Sequence, residues 1–344
     1  MTRVLVLATS KKTRGGITSV LKALETGEQW RKFHCHWIQT HRDGPNWRKL
    51  LYLVAAWIDY LIRLPFYDII HIHFSSATTA RRKKQFIRVA KCLNKRIIIH
   101  LHFGSKLNTI WNEDYDYLFS KADVALLLSD NLRKIVAGHT GEKVDLRVCY
   151  NPCPVITEEP KYSKTQSILF SGTLNKYKGY QDLIKAFAKI ADSFPNWKLV
   201  LAGNGEIEEA KQLALQYGLT NQIQLLGWVQ DKEKDKVYKE ASILCLPSYA
   251  EGFPMAVLDA WAYGLPVVTT PVGGIPDIAK DGINMLLFNP GDVNKLSVCL
   301  ETLIRDKGLR DRLSKESILL SKTIFNLNTI TKQIGDIYEE LSNN

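Results

Sequence analysis

Short runs of continuous apolar, largely β-branched residues recur along this 344-residue chain and constrain its fold more than any other feature. VLVLATS (4–10), DIIHIHF (68–74), RIIIHLH (96–102), DVALLLS (123–129) and DLRVCYN (145–151) fill the first half. SILFSGT (167–173), KLVLAGN (198–204), IQLLGW (223–228), ILCLPS (243–248), PVVTT (266–270) and MLLFNP (285–290) fill the second. A strand with one face in water alternates apolar and polar residues. An unbroken apolar run has both faces covered, as in a parallel sheet flanked by helices. Helix-length segments such as GYQDLIKAFAKIADSF (179–194) and EIEEAKQLALQYG (206–218) lie between the runs. NPCPVITEEPKYSKTQ (151–166) has three prolines and no periodicity and reads as an interdomain linker. The expected fold is α/β, with two Rossmann-like, doubly wound domains facing a cleft. They span residues 1–155 and 165–325. A C-terminal helix over 326–344 is expected to pack back on the first domain. Ligands of such sheets bind at the carboxyl ends of the strands.

Composition narrows the class. At 45% hydrophobic and 24% charged the chain is ordinary globular protein, and no charge-free run approaches the ~20 residues that span a bilayer. The first apolar run is too short for a signal peptide. Six cysteines, at 35, 92, 149, 153, 245 and 299, form no CxxC pair, which points to a reducing compartment, the cytoplasm. Charge is uneven: residues 1–150 hold 25 Lys and Arg against 12 Asp and Glu, while the remainder is nearly balanced. The two halves are therefore expected to meet different partners.

SYAEGFPMAVLDAWAYGLPVV (248–268) places Glu251 in a glycine-proline loop and Asp259 inside a helix expected to be buried. Buried carboxylates are costly unless paired. Glu251 follows the strand ILCLPS and precedes a helix N-terminus, where oriented N–H groups attract an anion such as a diphosphate. Gly252 allows close backbone approach. Asp259 is placed to accept hydrogen bonds from vicinal hydroxyls such as those of a ribose.

This stretch, extended to PSYAEGFPMAVLDAWAYGLPVVTTPVGGIPDI (247–278), resembles the signature of the group-one, family-four retaining glycosyltransferases of GT-B architecture. FSGTLNKYKGYQDLIKAF (170–187), LVLAGNGE (199–206), LLGWV (225–229), NMLLFNPGD (284–292), VCYNP (148–152) and GGI (15–17) follow the family's order. The resemblance implies transfer of a sugar from a nucleotide-sugar donor to a carbohydrate or lipid-linked acceptor, with retention of configuration. Surface polysaccharide or glycolipid assembly is the setting it suggests. It implies that Glu251, His102 and Lys178 are catalytic: Glu251 on sugar hydroxyls, Lys178 on the diphosphate, His102 near the reacting carbon. The implied donor site comprises Gly15, Gly16, Gly172, Thr173, Lys178, Gly203, Gly227, Glu251, Gly252, Phe253, Pro254 and Asp259. No cofactor and no metal are implied, because a cation and backbone N–H groups stabilise the leaving diphosphate. Three positions depart from the pattern. Asp259 is one methylene shorter than the usual glutamate. Thr173 stands where the family has an arginine, leaving Lys176, Lys11, Lys12 or Arg14 to supply the charge. Phe103 separates His102 from Gly104. A nucleotide-sugar epimerase or hydrolase, and a non-catalytic nucleotide-sugar-binding partner, are the alternative readings.

Other features compete. Six of eight histidines form His-x-His pairs: His34/His36, His71/His73 and His100/His102. Residues i and i+2 of a strand share a face, but a zinc site needs three or four ligands in one place, and pairs on different strands are not expected to converge. Asp114-Tyr-Asp116 matches a metal motif of another transferase fold and reads as a surface pair. GNG (203–205) lacks the spacing of a dinucleotide fingerprint. Arg81-Arg82-Lys83-Lys84 suits a solvated helix face or an anionic membrane, and no nucleic-acid motif accompanies it. NWRKLLYLVAAWIDYLIRL (46–64) has an unusually wide apolar face. It reads either as a deeply buried helix or as a docking element for the anionic inner face of the plasma membrane.

Overall fold

The computed structural model describes residues 2–13, 15–104, 107–156 and 165–343. The chain divides into two compact units, Met1–Pro152 with Leu327–Asn344, and Cys153–Asn326. The passage between them falls at Pro152, at the start of the proline-rich stretch; its residues 157–164 lie outside the described residues.

The first unit holds strands β1 (Val4–Ala8), β2 (His36–Gln39), β3 (Ile69–Phe74), β4 (Arg96–Leu101), β5 (Val124–Leu127) and β6 (Asp145–Val148), in the order β2-β1-β3-β4-β5-β6. All pairings are parallel. β1, β3 and β5 are buried throughout, as unbroken apolar runs require. β2 has no such run in the sequence. It is an edge strand whose two ends are only partly buried, so HWIQ carries only two core residues.

One sheet face packs Ile70, Ile72 and Phe74 against Phe86 of the helix Ala77–Cys92 and Tyr115 of the helix Glu113–Lys121. The C-terminal helix Leu327–Asn343 belongs to the same unit: Tyr338 meets Phe33 edge to face at 5.2 Å, and Gln333 donates to the Val148 carbonyl at 2.7 Å. Ion pairs join Lys32 to Glu339 and Arg147 to Glu340.

The helix Asn46–Arg63 is not deeply buried, which corrects the first of the two sequence readings. Its inner side is narrow: Trp57 stacks on Phe86 at 4.0 Å, and the buried Tyr60 donates its hydroxyl to the Phe86 carbonyl at 2.8 Å. The broad side, Trp47, Leu50, Leu51, Val54, Ile58, Leu61 and Ile62, is about half or more exposed, reaching 66% at Ile62. The basic run on the neighbouring helix is not a solvated face either. Lys83 is buried and donates to the Thr40 hydroxyl at 2.8 Å, Arg82 meets the His41 ring, and Lys84 pairs with Asp114, leaving Arg81 exposed. Among the described residues no helix is long and apolar enough to cross a membrane.

The second unit holds β7 (Ser167–Ser171), β8 (Lys198–Ala202), β9 (Ile223–Gly227), β10 (Ile243–Leu246), β11 (Val267–Thr269) and β12 (Leu286–Leu287), in the order β12-β11-β10-β7-β8-β9, again parallel. The chain winds outward on one side from β7 and returns on the other through β10. The junction of β7 and β10 is thus the topological switch point, the place where ligands of such sheets bind.

Candidate active site

The loops after β7 and β10 meet at that junction. Lys178 sits in the turn after β7, where Asn175 caps it: the Lys178 N–H bonds the Asn175 side-chain oxygen at 3.0 Å. Gly179 closes the turn at φ +68°, and a Cβ there would fall 2.1 Å from the Pro247 carbonyl at the end of β10. Only glycine lets the two loops approach this closely. The Tyr249 N–H then bonds the Tyr177 carbonyl at 2.7 Å, and the Tyr249 hydroxyl bonds Asp182 at 2.6 Å.

Glu251 is held on this platform. Its Oε1 accepts from Lys178 Nζ at 2.5 Å and from the hydroxyl of the fully buried Ser248 at 2.7 Å. The carboxylate is 9% exposed and the lysine 28%, so the pair is sheltered but open on the lysine side. Three residues on, Pro254 is the N-cap of the helix Met255–Ala262, so the helix N-terminus follows the same loop. Asp259 lies within that helix, buried, with Lys234 Nζ on its Oδ2 at 2.6 Å. Burial raises the Asp259 carboxyl above the usual carboxylate range, against the opposing pull of Lys234. Each buried carboxylate therefore has a lysine partner, as the cost of an unpaired buried charge demands. The sequence reading did not name Lys234 or Ser248. Lys234 sits in the charged run DKEKDK, which looks solvated; the signal for it was the buried acid itself, which needed a cation.

The other expected donor residues divide. Gly172 and Gly203 bring the loops after β7 and β8 into backbone contact, for a Cβ on Gly203 would lie 1.8 Å from the Gly172 carbonyl. Thr173 is exposed beside them and Lys176 lies over the Tyr177 ring at 5.4 Å. Gly252 adjoins Glu251, and its carbonyl accepts from Gly274 at 2.7 Å. The Phe253 side chain instead enters the core, 5.1 Å from Phe325, and Pro254 has no N–H, so these two shape the loop. Gly227 stands at a bulge in the edge strand β9, three strands from β10 and so roughly 14 Å away at ~4.8 Å per strand.

In the first unit, Gly15 caps the helix Gly16–Glu25 at φ +144°, a conformation reserved for glycine, with open space where a Cβ would point. Lys11 is engaged with Glu25, Lys12 is exposed, and Arg14 lies outside the described residues. His102 follows β4; its Nε2 meets His73 Nδ1 at 2.8 Å, and burial pushes it down to about 3, so it is neutral near pH 7. Phe103, the extra residue before Gly104, packs against the core. The expectation that the His-x-His pairs stay apart is overturned. β3 and β4 are neighbours in register, with His73 opposite His100, and ring nitrogens of His71, His73 and His100 all lie within 4.8 Å of one another. His36 pairs with Asp59 instead. Asp114 is taken by Lys84, and Asp116 accepts from the Trp111 indole at 2.6 Å.

Two parallel, doubly wound domains, the second with an acid–lysine pair at its switch point, make the GT-B architecture of glycosyltransferases. Residues 156–319, most of the second unit, match the family model described as glycosyl transferases group 1. Among similar proteins, an uncharacterized glycosyltransferase of Methanocaldococcus jannaschii is 24% identical over 333 residues, 91% of this chain and 76% of that protein. A D-inositol 3-phosphate glycosyltransferase of Corynebacterium jeikeium is 31% identical over 186 residues, 52% of this chain and 44% of that protein; the aligned stretch spans less than half its length. The Anabaena protein HepE, solved in complex with UDP-glucose, superposes with a TM-score of 0.79 over 99% of this chain and all of that one, at 19% identity, a likeness of fold.

Proposed function

We propose that the protein transfers a sugar from a nucleotide-sugar donor to a carbohydrate or lipid-linked acceptor, with retention of configuration and without a metal at the diphosphate. The observation that carries this reading is the Lys178–Glu251 pair beside a helix N-terminus at the β7–β10 switch point. Lys178 exchanges its bond to Glu251 for the donor diphosphate, joining the helix N–H groups in stabilising the charge that develops as the sugar leaves. Glu251, released on one side and still held by Ser248, accepts from sugar hydroxyls. Asp259, with Lys234 favouring its ionised form, takes the ribose. The departing phosphate serves as base for the acceptor hydroxyl, so the chain supplies no nucleophile. The HepE complex with UDP-glucose supports a nucleotide-sugar donor, and the inositol phosphate relative supports a polar, hydroxyl-rich acceptor.

The exposed face of the helix Asn46–Arg63 supports peripheral docking on an anionic membrane. Apolar patches this continuous mark interaction surfaces, and Lys49 and Arg63 flank it.

The test is a panel of UDP-, GDP-, ADP- and CMP-sugars read by thermal shift and then by transfer. A donor at 100 times its dissociation constant stabilises the fold by about 2.7 kcal/mol. Stabilisation followed by sugar on an acceptor supports the reading; hydrolysis or epimerisation unaffected by any acceptor overturns it in favour of the epimerase or hydrolase, and binding without turnover in favour of a binding partner.

A further inference from the structure

The histidine row of the first domain, of which the family resemblance places only His102 near the reacting carbon, is otherwise not used by the proposed chemistry, and its polar atoms are out of balance. His71, His73 and His100 are at most 2% exposed. Their rings lie face to face or tilted, with centroids 4.4 Å apart for His71 and His73, 4.9 Å for His73 and His100 and 5.6 Å for His71 and His100. His71 uses Nδ1 to meet the Tyr338 hydroxyl at 2.7 Å, and His73 uses Nδ1 to meet His102 Nε2 at 2.8 Å. The nitrogens left without a well-formed hydrogen bond are His71 Nε2, His73 Nε2 and both of His100, whose ring has the Cys149 backbone nearby. A buried polar atom left unsatisfied costs about 1–3 kcal/mol. Each neutral ring has one lone pair, so the three rings together offer three lone pairs to something that binds imidazole.

We propose that His71, His73 and His100 form a site for a divalent cation of the zinc class, bound by three neutral imidazoles with one coordination position left over. Imidazole donors without a carboxylate or thiolate suit zinc, cobalt or nickel rather than magnesium or calcium. Metal-bound histidines donate their other ring N–H to an outer partner, and this arrangement is already present, with Tyr338 behind His71 and His102 behind His73. Zinc–nitrogen bonds of ~2.0–2.1 Å require ligand atoms roughly 3.4 Å apart, so the three rings close inward from their present separation by side-chain rotation. Burial holds all three rings well below the usual histidine range, the form that coordinates. Lys83, whose charge also bears on His73, is itself pushed well below the usual lysine range by burial. With Nε2 on the metal, His73 keeps its proton on Nδ1 and donates it to His102 Nε2, which fixes the His102 proton on Nδ1. The site itself does not depend on the glycosyl-transfer reading.

The full chain is assayed for metal as purified, stripped under chelator, and titrated with Zn²⁺ by calorimetry and with Co²⁺ by visible absorption. The expected result is one equivalent per chain, d–d bands of a nitrogen-ligated Co²⁺, and a higher unfolding midpoint with metal. His100→Leu should lose the equivalent, and Tyr338→Phe, which keeps the packing, should weaken affinity about tenfold. Failure of the wild type to bind one equivalent, or binding by His100→Leu equal to wild type, overturns the site. If His100→Leu does not fold, wild-type stoichiometry and an unchanged Tyr338→Phe affinity still do so.

Discussion

Both domains are six-stranded parallel sheets, wound in different strand orders, yet around their sites they treat buried polarity in opposite fashion. The second pairs its buried carboxylates at the strand ends with cations: Glu251 with Lys178 and Ser248, Asp259 with Lys234. The first buries imidazoles and Lys83 with no carboxylate partner and leaves a long apolar helix face exposed. A charge-balanced, sheltered pair is a site waiting for one polar ligand that can replace one partner. The unbalanced buried imidazoles and the exposed apolar face are what the proposed metal site and the proposed membrane contact would respectively satisfy.

The sharpest way to break this contrast is Glu251→Ala. It leaves Lys178 partly solvated, so stability should change little while turnover falls by at least ~100-fold; circular dichroism and sugar transfer measured together decide, and near-normal turnover would remove Glu251 from the chemistry. Thr173→Arg comes next. A guanidinium at this exposed position should tighten donor binding by ~10–100-fold, since charge-assisted bonds contribute about 1.5–3 kcal/mol. Calorimetry with the free nucleoside diphosphate reads it, and weaker binding would mean Lys176 already occupies that space.

Asp259→Asn should weaken nucleotide binding by a smaller factor and carries a pH signature. The folded pKa is raised, so the folded chain holds a proton the unfolded chain has released; the stability from this group is present at low pH and lost as pH rises through the folded pKa. Denaturant melts of wild type and Asp259→Asn across pH should show that slope only in the wild type. The smallest effect on the molecule itself is expected for Leu51→Asp with Ile58→Asp on the exposed helix face. Stability should shift by no more than about 0.5 kcal/mol per site, while co-sedimentation with anionic vesicles at low salt is lost. A wild type that shows no preference for anionic over neutral vesicles would end the membrane reading, and a concentration-dependent dimer would assign the face to a second copy.

Much of the scaffold was legible because strand burial writes itself into local sequence. The runs at 4–8, 69–74 and 243–246 are apolar at every position or nearly so, and they are the buried strands. β2 was not legible, because an edge strand needs only two core residues. Local spacing also marked Glu251 and Asp259 as special, since an acid in a glycine-proline loop or in an apolar helix is anomalous wherever it occurs, whereas Lys178 came only from the family resemblance. What answers each anomaly is decided by neighbours distant in sequence. Lys234 reaches Asp259 from another helix, and Thr40, His41 and Asp114 absorb the basic run 82–84, which the sequence alone presents as a solvated face. Which side of the helix Asn46–Arg63 is buried was likewise set by Phe86 and the sheet beneath it. Strand register did the same for the histidines: parallel pairing of β3 with β4 sets His73 opposite His100, and no pattern within either strand contains that juxtaposition. Periodicity reports whether a residue is covered; only the tertiary fold decides what covers it, because the partner's charge and shape come from a different part of the chain.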